Sequence, residues 1–135
     1  MGKVGIGLTN PSQTLHVFGT AFAIAWNTTS DRRLKNNIAN THFGINDLIK
    51  IQVRDYVYKA DTSKTMVTGF IAQELYEIFP NAVTKPAKAE KMWSVDYGKV
   101  TPLLVKAIQD QQKTIESQQK QIDELKRMVE VLMKK

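Results

Sequence analysis

Isoleucine or valine recurs every seven residues late in this chain, at Ile108, Ile115, Ile122 and Val129. Three residues after each come Gln111, Gln118, Leu125 and Leu132. An α-helix turns once in about 3.6 residues, so this period gathers the side chains into one stripe. A stripe of that kind is covered by other helices in a coiled coil. The pattern predicts a coiled-coil helix over residues 102–135, with Ile108, Ile115, Ile122, Leu125, Val129 and Leu132 in its core. Thr101 and Leu104 carry the register backwards. No Gly or Pro follows Pro102, and a proline is tolerated in the first turn of a helix. A lone amphipathic helix packed on its own domain is the competing reading. The seven-residue period, held over three repeats, favours the coiled coil. The number of helices stays open, because isoleucine with leucine favours dimers while two of the four second-position residues are Gln. Buried Gln must find partners, which costs stability and fixes register.

The rest of the chain bounds the function. Its 135 residues, 42% hydrophobic and 24% charged, suit one modest domain plus an extension. The chain has no cysteine, which removes disulfides, thiolate nucleophiles and Cys-based metal sites. His16 and His42 are the two histidines and lie far apart, so no metal site is expected. No apolar run approaches the roughly 18 residues of a membrane span, and no apolar segment of a signal peptide follows the first residues. The net charge of +6 is scattered rather than blocked, which points to solvated lysines.

Residues 1–29 contain Gly2, Gly5, Gly7 and Gly19, four of the seven glycines. The apolar runs Leu15–Phe18 and Ala21–Trp26 read as short strands with little core of their own. Gly5-Ile6-Gly7 is too incomplete for a phosphate loop. Residues 30–101 read as a compact α+β domain. Helical spacing appears at Ile45, Leu48 and Ile49, and strands are expected around Val53–Tyr58 and Met66–Ile71. A short helix is expected over Gln73–Phe79, ended by Pro80-Asn81, with strand character returning at Met92–Val95. The fold expected is therefore a small mixed domain between an N-terminal β stem segment and a long C-terminal helix. The divisions are 1–29, 30–101 and 102–135.

The joint between the first two parts reads Thr29-Ser30-Asp31-Arg32-Arg33-Leu34-Lys35-Asn36-Asn37-Ile38. Gly69-Phe70-Ile71-Ala72-Gln73-Glu74-Leu75 follows, then Phe79-Pro80, Val83, Val95-Asp96-Tyr97 and Leu103 to Gln109. These blocks, in this order, resemble the self-releasing intramolecular chaperones at the C-termini of endosialidase tailspikes, phage neck appendages and tail fibres. A related domain occurs in the myelin regulatory factor family. Upstream, Val4 to Pro11 with Leu15-His16-Val17 looks like the stem repeat found before such domains.

The resemblance implies a Ser–Lys dyad for self-cleavage, with Ser30 as nucleophile and Lys35 as general base. Arg33, Leu34, Ile38, Gln73 and Glu74 are its supporting motif. No cofactor or metal is implied. A serine hydroxyl attacks poorly until a base takes its proton, and lysine is a base only when neutral, a form that burial and nearby positive charge favour. Arg32 and Arg33 would supply that charge if they face Lys35 and Asp31 does not cancel them. Five residues turn a side chain by about 140° on an α-helix. The segment must therefore turn between Ser30 and Lys35, or the base must come from another chain. The scissile bond is Thr29–Ser30 or Ser30–Asp31. The first is favoured, because Ser30 Oγ reaches its own preceding carbonyl through a five-membered ring.

The resemblance also implies a homotrimer that registers a β-stranded fibre stem of the same chain. Assembly would occur in the host bacterial cytoplasm, on a virion precursor, with the chaperone fragment then released. The stretches Lys59–Lys64 and Lys85–Lys91 are candidate arms around the stem. Neither a membrane nor a nucleic-acid partner is expected. Two alternatives compete. One is a trimerisation foot that never cleaves. The other is a DNA-binding oligomer, which is weak because Val95-Asp96-Tyr97-Gly98-Lys99, not a basic cluster, precedes the heptads.

Overall fold

A computed structural model describes residues 2–134. Met1, and Lys135 at the end of the expected coiled coil, lie outside the described residues. The chain divides into two compact units, Met1–Ala39 and Asn40–Lys135.

The first unit contains two short strands, β1 (Val4–Ile6) and β2 (Leu15–Val17). They pair in parallel, with Val4 opposite Leu15 and Ile6 opposite Val17. The Val4 amide donates to Thr14 O at 2.8 Å and the Phe18 amide to Ile6 O at 2.9 Å. The connection turns sharply at Gly7, whose φ is 76°. A Cβ there would meet Phe18 O at 2.8 Å, so only glycine fits without a shift. The expected strand at Ala21–Trp26 does not form among the described residues. Phe22 (96% exposed) and Ile24 (109%) have nothing to pack against. An apolar run suits a strand only where a neighbouring strand takes its backbone hydrogen bonds.

The second unit is mixed α/β. In order it contains α1 (Ile45–Leu48), β3 (Arg54–Tyr56), β4 (Val67–Gly69), α2 (Ala72–Ile78), β5 (Val83–Thr84), β6 (Ser94–Val95) and α3 (Val100–Met133). The strands β3 and β4 pair antiparallel, as do β5 and β6. Expected strands shortened at both ends, because Val53 and Tyr58 lie outside the two-strand ladder. Pro80 ends α2 by opening a 3₁₀ turn over Pro80–Ala82, since proline has no N–H for the helix to use.

The core is small. Leu75 and Phe79 come from α2 and its end, Ala82 from the turn, and Val100 and Leu103 from α3, with Phe43, Leu48, Phe70 and Val95 packed around them. Phe43 and Phe79 meet edge to face at 4.9 Å, a favoured aromatic arrangement. The first turns of α3 lie against α1. Lys106 pairs with Asp110, and Asp110 also holds the Ile45 backbone N–H. The second contact ties α3 to the start of α1, while the first lies within α3. A Cβ on Gly44 would meet Asp110 Oδ2 at 2.5 Å, so the Asp110 side chain would have to shift.

The 34-residue helix α3 therefore has two apolar faces. Val100, Leu103 and Ala107 are buried in the domain. The heptad residues Leu104, Ile108, Ile115, Ile122, Leu125, Val129 and Leu132 are all exposed in the single chain. The sequence stripe is thus not the face that packs on the domain.

Candidate functional site

Asp31 builds the local geometry of the joint. Its backbone is extended, and its side chain caps a 3₁₀ turn over Arg32–Leu34 by accepting from the Arg33 N–H at 2.8 Å. The N–H groups of Leu34 and Lys35 donate to Asp31 O and Arg32 O, both at 3.1 Å. Lys35 then leaves the turn extended, with φ −124° and ψ 138°. A 3₁₀ turn is tighter than an α-helical one, and here it is a single turn with extended chain on both sides. The two ends of the segment are folded back on each other, and Lys35 Nζ lies 2.5 Å from Ser30 Oγ. An ammonium at that position donates to Oγ, while a neutral amine accepts the hydroxyl proton. Both side chains belong to the first unit of one chain.

The charges around this pair differ from expectation. Arg33 does not turn its charge freely on Lys35. Its Nε and Nη2 donate to the two Asp31 carboxylate oxygens at 3.0 and 2.8 Å. Arg33 side-chain bonding, then its backbone N–H, holds the Asp31 carboxyl below its ordinary value, and the Arg33 guanidinium is raised in turn by Asp31. The condition placed on Arg33 thus fails, since Asp31 does cancel it. Arg32 makes no ion pair among the described residues.

Ser30, Lys35 and Thr29 are exposed, and so are Leu34 (71%) and Ile38 (57%). Asn37 takes a positive φ of 53° between Lys35 and Ile38, a conformation Asn adopts more readily than most residues. The motif's two apolar residues therefore contribute no core within this chain.

Gln73 and Glu74 stand in the second unit, in the first turn of α2. Gln73 is exposed, and Glu74 accepts from Arg54 Nε and Nη2 at 3.0 and 3.2 Å, tying α2 to β3. The reading of the residues did not anticipate an aromatic cavity of about 580 Å³ beside them, lined by Tyr56, Tyr58, Phe70, Trp93 and Tyr97. The Tyr97 hydroxyl accepts from the Phe70 N–H at 3.2 Å. The Tyr56 hydroxyl is pushed up, chiefly by its hydrogen bond with Tyr58 and then by burial. Its sequence signal was present in the aromatic residues at 56, 58, 70, 93 and 97, but they are spread over three strand segments and a turn.

A serine and a lysine in contact at a tight turn thus precede, in the chain, a small mixed domain and a helix with an exposed heptad stripe. Residues 30–84 match the model of the family described as chaperone of endosialidase, peptidase S74. The match begins at Ser30, contains Lys35, Gln73 and Glu74, and ends before α3. No curated protein matches the chain.

Proposed function

We propose that this domain is an intramolecular chaperone that trimerises and registers the β-stranded stem of a phage fibre or tailspike, then frees itself by cutting beside Ser30. The observation that carries this reading is the contact of Lys35 Nζ with Ser30 Oγ at the first residue of the family match. The division proposed is stem over 1–29, chaperone and autopeptidase over 30–101, and coiled coil over 102–135.

In the proposed reaction Lys35, as a neutral amine, takes the Ser30 hydroxyl proton. Ser30 Oγ attacks the Thr29 carbonyl carbon, and the Thr29–Ser30 C–N bond breaks as the Ser30 nitrogen gains a proton. An ester between Thr29 and Ser30 Oγ results. Water then hydrolyses it, giving a Thr29 carboxylate and a new amino terminus at Ser30. Arg33 supports the site by holding Asp31, and so the 3₁₀ turn, rather than by its charge. Burial disfavours a charged lysine. Ser30 and Lys35 are exposed in the single chain, so the dry environment for the step would come from packing in the assembled fibre. Cutting would then follow assembly.

Long β-stranded fibres pair over large sequence distances, which is slow and prone to aggregation. A trimeriser raises the local concentration of stem ends. The uncovered stripe from Leu104 to Leu132 would supply it. Loss of the template after cutting leaves the fibre kinetically trapped. The setting proposed is a virion precursor in the host bacterial cytoplasm. A permanent trimerisation foot is the second reading, favoured by the exposure of Ser30 and Lys35.

The test is intact mass of the chain extended upstream through its stem, beside its Ser30→Ala variant. We expect the parent to split into fragments whose masses place the cut at Thr29–Ser30, and the variant to stay whole. Two whole proteins forming soluble trimers would establish the permanent foot and end the peptidase reading.

A further inference from the structure

Two surfaces of this chain are open in the single copy, and their chemistry matches. The first is the run from Ala21 to Trp26. Phe22, Ile24 and Trp26 alternate there with Ala21, Ala23 and Ala25, and residues 20–28 carry no charge. Successive side chains of an extended chain point to opposite faces, so the bulky groups would share one face and the alanines the other. Phe22, Ile24 and Trp26 are all exposed, and the run forms no strand. The second surface is the aromatic cavity walled by Tyr56, Tyr58, Phe70, Trp93 and Tyr97, where Lys59 is the one charged lining residue. Val57, Trp93 and Val95 also line it. Among the described residues, Val57 and Trp93 make no backbone hydrogen bond. Val95 stands opposite Val83 in β5, but the bond beside that pair runs from Asp96 N to Ala82 O at 2.8 Å. Val95 therefore turns its own N–H and C=O away from β5, towards the free edge of β6.

We infer that the aromatic cavity is a groove for one extended strand, residues 21–26 of a second copy of this chain, held with Phe22, Ile24 and Trp26 facing the aromatic wall. This rests on the chaperone reading above and names the part of the stem that the chaperone holds.

An added strand needs free main-chain groups to pair with and pockets for its alternate side chains. The groove offers both. Val57, Trp93 and Val95 supply the main-chain groups, and the rings supply the pocket. The volume of about 580 Å³ lies in the range of roughly 300–1,000 Å³ that ligand sites span. It suits side chains on an extended chain rather than a folded domain. Aromatic rings gain from edge-to-face or offset contact with further rings, which Phe22 and Trp26 bring. An uncharged strand also enters without taking an unpaired charge out of water. In the single copy the bulky residues stay exposed, so the strand that fills the groove comes from another copy.

The proposed cut at Thr29–Ser30 falls between the two surfaces in sequence, with the strand on the stem side and the groove on the chaperone side. Cutting removes the covalent link and leaves the strand in its groove. The time of release is then set by a non-covalent contact, and a groove that holds too tightly delays release after the bond is gone.

The chain has two tryptophans, Trp26 in the strand and Trp93 in the groove, so Trp93→Phe leaves Trp26 as the reporter. A reporter chain carries Trp93→Phe with Ser94→Arg, which sets a long side chain at an exposed position of the groove lining. An acceptor chain carries Trp93→Phe with Trp26→Ala, and so has an open groove and no tryptophan. Urea unfolding first establishes that both are folded, and Tyr58→Ser replaces Ser94→Arg if that variant is not. Alone, the reporter chain should show solvent-exposed Trp26 emission that acrylamide quenches readily. After refolding together with excess acceptor chain, the emission should shift to shorter wavelength and the quenching should fall. Trp26 that stays exposed in the mixture, or is already protected in the reporter chain alone, overturns the groove. Sedimentation equilibrium and intact mass read association and cutting separately, so that result leaves the chaperone reading intact. Chains that never associate overturn both.

Discussion

Replacing Ile122 by Ala tests whether the stripe on α3 is a seam between chains. Ile122 lies about four helical turns beyond Ala107, the last residue of α3 buried in the domain. It is 46% exposed in the single chain. The substitution removes three carbons, worth roughly 2.4 kcal/mol if all were newly taken from water. About half of that surface is available to be covered on association, so the transfer loss is roughly 1 kcal/mol. A void at a packed layer adds a comparable amount. The total is about 2 kcal/mol per chain and about 6 kcal/mol for three chains, a fall of roughly 10⁴ in the trimer association constant. Alanine is the better helix former, so the loss would not come from the helix itself. Sedimentation equilibrium over a concentration series reads it directly, with Lys120→Ala as the control off the stripe. The reasoning is refuted if Ile122→Ala associates as tightly as the parent, or if Lys120→Ala is equally impaired.

Leu103→Ala acts on the other face. Leu103 is 2% exposed, and its truncation should cost about 2–5 kcal/mol in urea unfolding of the domain; an unchanged midpoint would contradict the packing described. In the upstream-extended chain, Lys35→Arg should abolish cleavage on a denaturing gel although it keeps the charge, because arginine does not give up its proton; a cleaved Arg variant would remove Lys35 as the base. Asp31 should titrate below 3.8, its ordinary value. A depressed carboxyl stabilises the turn fully above that value and loses this contribution as pH falls through the folded value. Carboxyl NMR titration checks it, and Arg33→Ala should return the midpoint upward.

Much of the second unit was legible because its elements carry their own periodicity. The heptads announced α3, and Leu75, Ile78 and Phe79 announced α2 to within a residue at each end. What the residues concealed was the division of α3 into two faces. Leu103 adjoins Leu104 and Ala107 adjoins Ile108, so the domain-facing residues merge with the stripe when read as letters. Ala21–Trp26 misled for another reason. An apolar run says that a segment would be buried in a sheet, and not whether a sheet exists. At the joint, residue types left the turn between Ser30 and Lys35 as a requirement. The capping of that turn by Asp31, and the capture of Arg33 with it, depend on side-chain directions that spacing does not encode.

The parallel pairing of β1 with β2 has a consequence for how a stem is written in sequence. An antiparallel hairpin returns the chain to its starting level and reverses its direction. Here the chain comes back after a step of 11 residues, from Val4 to Leu15, still running the same way. Both outer edges of the pair are left with unpaired N–H and C=O groups. A further strand of equal spacing can join such an edge without altering what is already built. In an architecture of this kind length becomes a count of near-identical steps, and a fibre can be lengthened or shortened by whole repeats while its end stays unchanged.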